Sequence, residues 1–346
     1  MLLASPTPPW ASSDRMSLPK LHTSSLATTL YLLLASPTAA WVVGVASAAG
    51  TASGRRSICD ASMAAADVPS IVVGGGRIGS MLASLGESVL LKRGDPFPAE
   101  PASGPIYVCT RNDALAGIVD ATPAHRREDL VFLQNGMLGD FLQAKGLADA
   151  TQVLLYLAVA KLDEPPIDGI TDTNPEGLTA AKGKWGATFA ARLQSGGLTA
   201  AKGKWGATFA ARLQSGGLKC RLLEGDEYTK AMLEKHVWIC AFMMVGALHG
   251  GVSVGEVEST HAEELAALVA ELCAAGEAEL GVQLDPGVVA RLAAYGRSVA
   301  HFPTAVKEFE WRNGWFHAIS AAAVAAGKPD PMPQHTAGLK TLGVIN

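Results

Sequence analysis

The residues best placed to do chemistry begin at Ile71, where Ile-Val-Val-Gly-Gly-Gly-Arg-Ile-Gly runs three β-prone residues into a Gly-x-Gly-x-x-Gly turn ending at Gly79. In this pattern a parallel strand hands over to a helix whose N-terminus receives a pyrophosphate. Gly74 would make the tight turn, Gly76 would let backbone N–H groups approach the phosphates, and Gly79 would let the helix pack on the strand. Arg77 and Ile78 complete the candidate cofactor loop. A lone glycine pattern is weak, but a second apolar strand, Ser88 to Leu91, follows one short helix later, as a βαβ dinucleotide site requires. That strand ends in Lys92-Arg93, at the place where an acidic residue bonds a ribose 2′-hydroxyl and a basic one accepts a 2′-phosphate. The planar fork of Arg93 matches phosphate geometry, so the expected cofactor is NADP(H) rather than NAD(H). A solvated Lys-Arg pair would leave the same trace, and Asp95 just beyond weakens the reading.

Two further segments carry candidate groups. Phe132-Leu133-Gln134-Asn135-Gly136-Met137 ends a strand in an Asn-Gly turn at the carboxyl edge of the sheet, where ligands of such folds bind. Read alone, Asn135 is equally a turn residue. A helix from about Tyr228 to Leu248 begins polar and runs uncharged from Val237 onward, as a domain's central helix does. Lys235 stands at its entry to the core. A buried lysine has a lowered pKa and donates a proton near neutrality; a lysine snorkelling beside Glu234 is the ordinary alternative.

The elements that must position these groups fall into two kinds. Strand-like segments at Ile71, Ser88, Ile106 to Cys109, Leu130 to Leu133 and Val153 to Val159 alternate with helix-sized gaps, which predicts an α/β, doubly wound parallel sheet of Rossmann type. After Glu224 the pattern is helical only. Thr260-x-x-Glu263 reads as a capping box opening a helix that Gly281 ends, Asp285-Pro286 opens the next, and Gly327 with Pro329 closes the last. The expected division is a presequence over 1–66, a cofactor domain over 67–224 and a helical substrate domain over 225–346. Gly177 to Gly196 and Gly197 to Gly216 are identical residue for residue. Two copies do not make a solenoid. The second is the better placed, because Leu218 to Leu223 follows it as a strand, and the first is expected to be a surface excursion.

Charge is uneven. Residues 1–59 hold Arg15, Lys20, Arg55 and Arg56 against Asp14 alone, leaving 24 basic and 31 acidic residues from position 60 onward, a net −7 that disfavours nucleic acid as a partner. Cys59, Cys109, Cys220, Cys240 and Cys273 have no metal-knuckle spacing, and an odd count in a long chain argues against a disulfide framework. The histidines have no short metal spacing either: His236 points away from Lys235, and His317 and His335 read as surface. No metal is expected.

Taken together, the glycine loop, the strand ending in Asn135-Gly136 and the helical second half resemble the ketopantoate reductase family over roughly Val68 to Gly343. The resemblance implies NADPH-dependent reduction of a small 2-oxo acid, a place in pantothenate biosynthesis, and a possible homodimer. It implies that Lys235 is the catalytic lysine and that Asn135 lines nicotinamide and substrate. Val306-Lys307-Glu308-Phe309-Glu310-Trp311-Arg312-Asn313-Gly314 is similar to the family's C-terminal signature, in a last long helix, with Glu308 as the acidic residue at the substrate; an exposed pair with Arg312 is the alternative. Arg111 falls where the family tends to have a lysine near the cofactor phosphates, and Ser298 where it has a substrate serine. The family usually carries asparagines four and eight residues after its lysine, whereas this chain has Ile239 and Met243 there. That departure suits a bulkier, less polar 2-oxo compound, or a relative that binds NADP without catalysis.

From Leu21 to Gly54 there is no Asp, Glu, Lys or Arg, and an apolar centre, Leu30 to Leu34, precedes a Ser-rich, basic stretch to Arg56. This is the pattern of organelle targeting, a plastid being favoured over a mitochondrion. The alternative is a membrane anchor over residues 26–49, broken by Pro37. Residues 1–59 fused to a fluorescent protein are expected to carry it into an organelle; an alkali-resistant membrane fraction would show the anchor instead.

Overall fold

The computed structural model describes residues 68–159, 161–162, 164–175, 177–182 and 204–346; the presequence expectations lie outside them. The first half is a seven-stranded sheet in the order β2-β1-β3-β4-β5-β8-β9. Its strands are β1 (Ser70–Val73), β2 (Ser88–Leu91), β3 (Ile106–Val108), β4 (Leu130–Phe132), β5 (Thr151–Leu154), β8 (Ala180–Lys182) and β9 (Arg221–Leu223). A separate antiparallel pair joins β6 (Leu157–Ala158) to β7 (Ile167–Asp168). The first five strands of the large sheet pair in parallel, β5 and β8 antiparallel, and β8 and β9 in parallel again.

Strand periodicity sorts the core into two layers. Val72, Tyr107 and Val131 face one side and pack with α1 (Arg77–Ser84) and α4 (Gly206–Ser215). Their neighbours Ile71, Val73, Ile106, Val108, Leu130 and Phe132 face the other side, against α2 (Leu115–Ala121) and α3 (Gly139–Ala144). Both faces are covered, which is why these strands read as unbroken apolar runs.

The duplication is used in a way the sequence did not indicate. The helix of the second copy is α4, pinned by the fully buried Arg212, which donates to Ser88 Oγ at 2.6 Å and to the carbonyls of Val68 and Glu87 at 3.0 and 3.1 Å. The start of the first copy is not a surface excursion: its Ala180 and Ala181 are fully buried in β8, between β5 and β9, where a strand can fill its ladder on both sides, while the rest of that copy lies outside the described residues. The βαβ unit thus takes its strand from one copy and its helix from the other.

Only helices follow β9: α5 (Gly225–Leu248), α6 (Val254–Thr260), α7 (Ala262–Leu280), α8 (Val288–Ser298), α9 (Asn313–Ala325) and α10 (Pro333–Thr341). α5 is long and apolar enough to cross a membrane, but 67% of its most apolar window is buried inside the protein. It is the core helix, with α7 packed along it.

Several helix boundaries correct the sequence reading. Thr260 does not open α7: it ends α6, and His261 is the N-cap of α7, with no side-chain hydrogen bond. Gly281 does end α7, in a left-handed conformation with φ 65°. The chain is not finished by Gly327, because α10 follows and buries His335 completely. His335 Nε2 lies 3.0 Å from Asn313 Oδ1, so the polar ring is buried with a partner. The Val306–Gly314 signature does not lie within a long helix: Val306 to Glu308 are irregular, Phe309–Trp311 form one 3-10 turn, and only Asn313 and Gly314 belong to α9, as its first residues.

Deleting residues 183–202 gives the same chain as deleting Gly177 to Gly196, because the copies are identical. β8 would then join α4 through Gly203-Lys204-Trp205 alone, a connection of ordinary length. The shortened protein is expected to keep its far-ultraviolet circular dichroism and to melt within a few degrees of the full chain. An unfolded product would show that both complete copies are structural.

Candidate active site

At the carboxyl edge of the sheet the glycine loop borders a cavity of about 300 Å³ shared with Lys92, Arg93, Thr110 and Arg111. Gly74 has φ 109°, and a Cβ there would come within 2.9 Å of the Cys109 carbonyl oxygen. A Cβ on Gly79 would overlap the Gly74 carbonyl, so this glycine sets how closely α1 packs on its own loop. Gly76 is different: nothing lies within 4 Å of a Cβ placed on it, and no side chain caps α1. The helix N-terminus is thus presented to open space, as phosphate binding requires. Thr110 Oγ1, also at the cavity, is buried without a hydrogen-bond partner. Open backbone, an orphaned hydroxyl and basic side chains fit the diphosphate portion of a nicotinamide dinucleotide.

The side chains around the loop divide by role. Arg93 is exposed at the cavity, and Asp95 does not compete for the same place, since its carboxylate accepts the Lys92 N–H at 2.8 Å within the turn. Arg111 is exposed and pairs loosely with Asp113 at 3.4 Å. Arg77 donates to the Val159 carbonyl at 2.8 Å, tying the first turn of α1 to the chain after β6. Ile78 packs against the core beneath, so its backbone, not its side chain, is available to a ligand.

Lys235 is buried. Its Nζ donates to the Leu155 carbonyl at 2.8 Å, at the end of β5, and lies 3.9 Å from the centre of the Tyr156 ring. Burial, with the Arg312 guanidinium adding repulsion, lowers its pKa to about 7. The ammonium is therefore held by a carbonyl dipole and a ring face, without a carboxylate. Tyr156 meets Tyr295 edge to face at 4.8 Å, and Tyr295 meets Trp238 at 4.7 Å, so an aromatic wall stands beside the lysine. The Tyr156 N–H is fixed by Thr179 Oγ1 at 3.0 Å.

The seam between sheet and helices is closed by the Asn135-Gly136-Met137 turn. Gly136 has φ 113°, and a Cβ there would overlap the Trp311 carbonyl, which accepts the Met137 N–H at 2.9 Å. Trp311 stacks edge to face on Phe141 at 5.4 Å. The buried Asn112 bonds the Asn135 carbonyl through Nδ2 at 2.9 Å, and its N–H donates to Glu308 Oε1 at 3.2 Å. Glu308 also pairs with Arg312. It is the only non-glycine with positive φ among the described residues, at 49°, a conformation that costs on the order of 1 kcal/mol or more and persists where its surroundings hold it. Glu308 thus sits in a turn with its carboxylate engaged by Arg312 and Asn112, not on a helix face turned to a ligand. The Arg312 Nε is buried and has no partner.

Arg312 and Glu308 are therefore paired in the seam, the guanidinium acting on Lys235 through its charge, and Asn135 reaches the same seam through Asn112. Ile239 lies in the apolar cluster of the helical half, with Met243 packed against it. Ser298 bonds its own helix at the Tyr295 carbonyl, at 2.8 Å. His236 faces aromatic rings, 5.0 Å from Phe316, and burial lowers its pKa to about 3. The thiols of Cys109, Cys220 and Cys273 are pushed up to about 12 by burial, which suits inert core residues. Tyr156, Asn112 and Arg312 were missed from sequence. Only Arg312 left a signal, its i, i+4 spacing from Glu308, which reads in sequence as an exposed pair and is instead largely buried.

No protein-family model matches the sequence, and no curated protein matches it. Its fold is found in solved structures. A ketopantoate reductase from Ralstonia eutropha JMP134 aligns at 17% identity over 80% of this chain and 99% of that one, TM-score 0.53. The dimeric ketopantoate reductase from Staphylococcus aureus aligns at 15% over 80% and 98%, TM-score 0.54. D-mandelate dehydrogenase, solved with NADH and anilino(oxo)acetate, aligns at 15% over 80% and 97%, TM-score 0.53. At such identities the likeness is one of fold: a Rossmann-type half followed by helices.

Lys235→Met is expected to stabilise the protein. The folded-state pKa lies below that of an unfolded lysine, so the penalty of burying the charge is full below about pH 7 and is relieved as pH rises toward the ordinary lysine value. Melts across pH should show the variant's advantage largest at or below pH 7 and shrinking above it. A variant less stable at every pH would mean that the Leu155 and Tyr156 contacts outweigh the burial penalty.

Proposed function

We propose that this chain is an NADPH-dependent reductase of a small 2-oxo acid, of the ketopantoate reductase type. The observation that carries the proposal is the buried Lys235 ammonium, held on the Leu155 carbonyl and over the Tyr156 ring at the seam between the glycine-loop half and the helical half. A reduced nicotinamide cofactor, held by Gly74, Gly76 and Gly79, would supply the hydride for reduction of the carbonyl carbon. Everything else falls to the chain's own side chains. Lys235 Nζ hydrogen-bonds the carbonyl oxygen and passes it a proton; a pKa of about 7 leaves both protonation states populated near neutrality. Arg312, with its unpartnered Nε, holds the substrate carboxylate, and Glu308 fixes the guanidinium's orientation. Gly74, Gly76 and Gly79 seat the diphosphate and Arg93 receives the 2′-phosphate, with Arg111 nearby. Asn135 borders the nicotinamide and substrate.

A second reading concerns the substrate. Ile239 and Met243 replace hydrogen-bonding residues of the resembled family, and Tyr156, Tyr295 and Trp238 form an aromatic wall by Lys235. Both favour a bulkier, less polar 2-oxo acid over ketopantoate, and D-mandelate dehydrogenase, of the same fold, was solved with such a compound. Targeting to an organelle and assembly as a homodimer belong to the same proposal. The fusion experiment above tests the first, and sedimentation of the full chain tests the second.

The experiment is a turnover screen of 2-oxo acids, polar and aromatic, followed by NADPH absorbance. With the best substrate, kcat for reduction is expected to fall as pH rises through about 7, because the protonated lysine is the donor. Lys235→Met should lower kcat by about 10² to 10⁴ while NADPH affinity changes little. Arg93→Asp should weaken NADPH far more than NADH. Turnover unaffected by Lys235→Met would put the proton donor elsewhere, and tight NADPH binding with no 2-oxo acid turned over would leave a binding protein.

A further inference from the structure

We propose that His249, His261 and Glu264 form a binding site for a divalent transition-metal ion of the zinc class. His249 lies at the C-terminal end of α5, His261 at the corner between α6 and α7, and Glu264 in the first turn of α7. The three donor atoms lie within 4.8 Å of one another. His249 Nε2 is 2.6 Å from Glu264 Oε2, and the two imidazole rings stack at 3.6 Å with planes 14° apart.

The arrangement is close to what such an ion needs. Donors around a tetrahedral ion with bonds of about 2.0–2.1 Å are roughly 3.4 Å apart, so the His249–Glu264 pair at 2.6 Å must open by under about an ångström and the widest pair, at most 4.8 Å, must close by up to about 1.4 Å. Rotation of the rings about their outer side-chain torsions, which are broad and cheap to turn, supplies that movement without moving backbone. Glu264 is also telling. At the third position of α7 its side chain would ordinarily turn back to the helix N-terminus, but it reaches across to the ring on α5 instead.

Two imidazole nitrogens and one carboxylate oxygen select zinc, cobalt or nickel over calcium or magnesium, which prefer all-oxygen shells. Three protein donors leave a fourth position for water or a small anion. In sequence only His261 and Glu264 are close, three residues apart; His249 joins them through the fold, because Gly250 and Gly251, at φ 82° and 85°, turn the chain after α5, and α6 carries it back to α7. The site is 14 positions along α5 from Lys235, roughly 21 Å at the helical rise. It clamps the core helix to its main packing partner and takes no part in the proposed reduction.

The test is calorimetric titration of the full chain with zinc chloride in a non-coordinating buffer, with His249→Asn, His261→Ala and Glu264→Gln in parallel. One ion per chain at micromolar affinity is expected, weakened roughly tenfold or more in each variant. Zinc should raise the Tm of the wild type and not of the variants. Cobalt bound to the wild type should show no thiolate charge-transfer band, which distinguishes these donors from the cysteines. Equal zinc affinity in wild type and His261→Ala, a thiolate band, or no saturation below millimolar zinc would overturn the proposal. Circular dichroism checks that each variant is folded, and the three independent side chains keep the test decisive if one is not.

Discussion

Burying an ammonium without a carboxylate beside it is the constraint around which this protein is arranged. Lys235 enters the interior on α5 and meets the Leu155 carbonyl and the Tyr156 ring. A charge in such surroundings costs several kcal/mol unless dipoles and ring faces offset it or the proton leaves. Each partner comes from the far side of the seam, at the end of β5. The helical half can bury its lysine only by docking on the sheet half, so the buried ammonium and the assembly of the seam are one feature.

That docking uses backbone contacts as well as the shared apolar cluster. Gly136 lets the Asn135 turn press against the Trp311 carbonyl, and the Met137 N–H bonds the same oxygen. Asn112 and Glu308 extend the contact and leave Glu308 in a left-handed conformation. Backbone strain of this kind persists only where the surroundings hold it. Arg312 gains a fixed orientation and keeps one donor unused.

The glycine loop, the alternation of strands and the switch to helices were legible because each rests on local rules. Only glycine serves where φ is 109° at Gly74 or where α1 must touch its own loop at Gly79. The uncharged run after Lys235 likewise announced a core helix. Less was legible where the deciding contact is distant. The Glu308 stretch has helical composition, yet the Asn112 and Trp311 contacts hold it as a turn. Tyr156 looked like any strand residue until α5 placed an ammonium over it. The duplicated segment offered two equivalent strands and two equivalent helices, and sequence alone had no means to choose one of each.

The central claim is that Lys235 changes charge near neutrality inside the folded protein, and it can be measured without any substrate. In protein labelled with carbon-13 at the lysine ε position, one resonance should titrate with a midpoint near pH 7, far below its fellows, and should be missing from Lys235→Met. If every lysine in the folded chain titrates in the ordinary range near pH 10, the ammonium is not desolvated and the account of the seam is wrong.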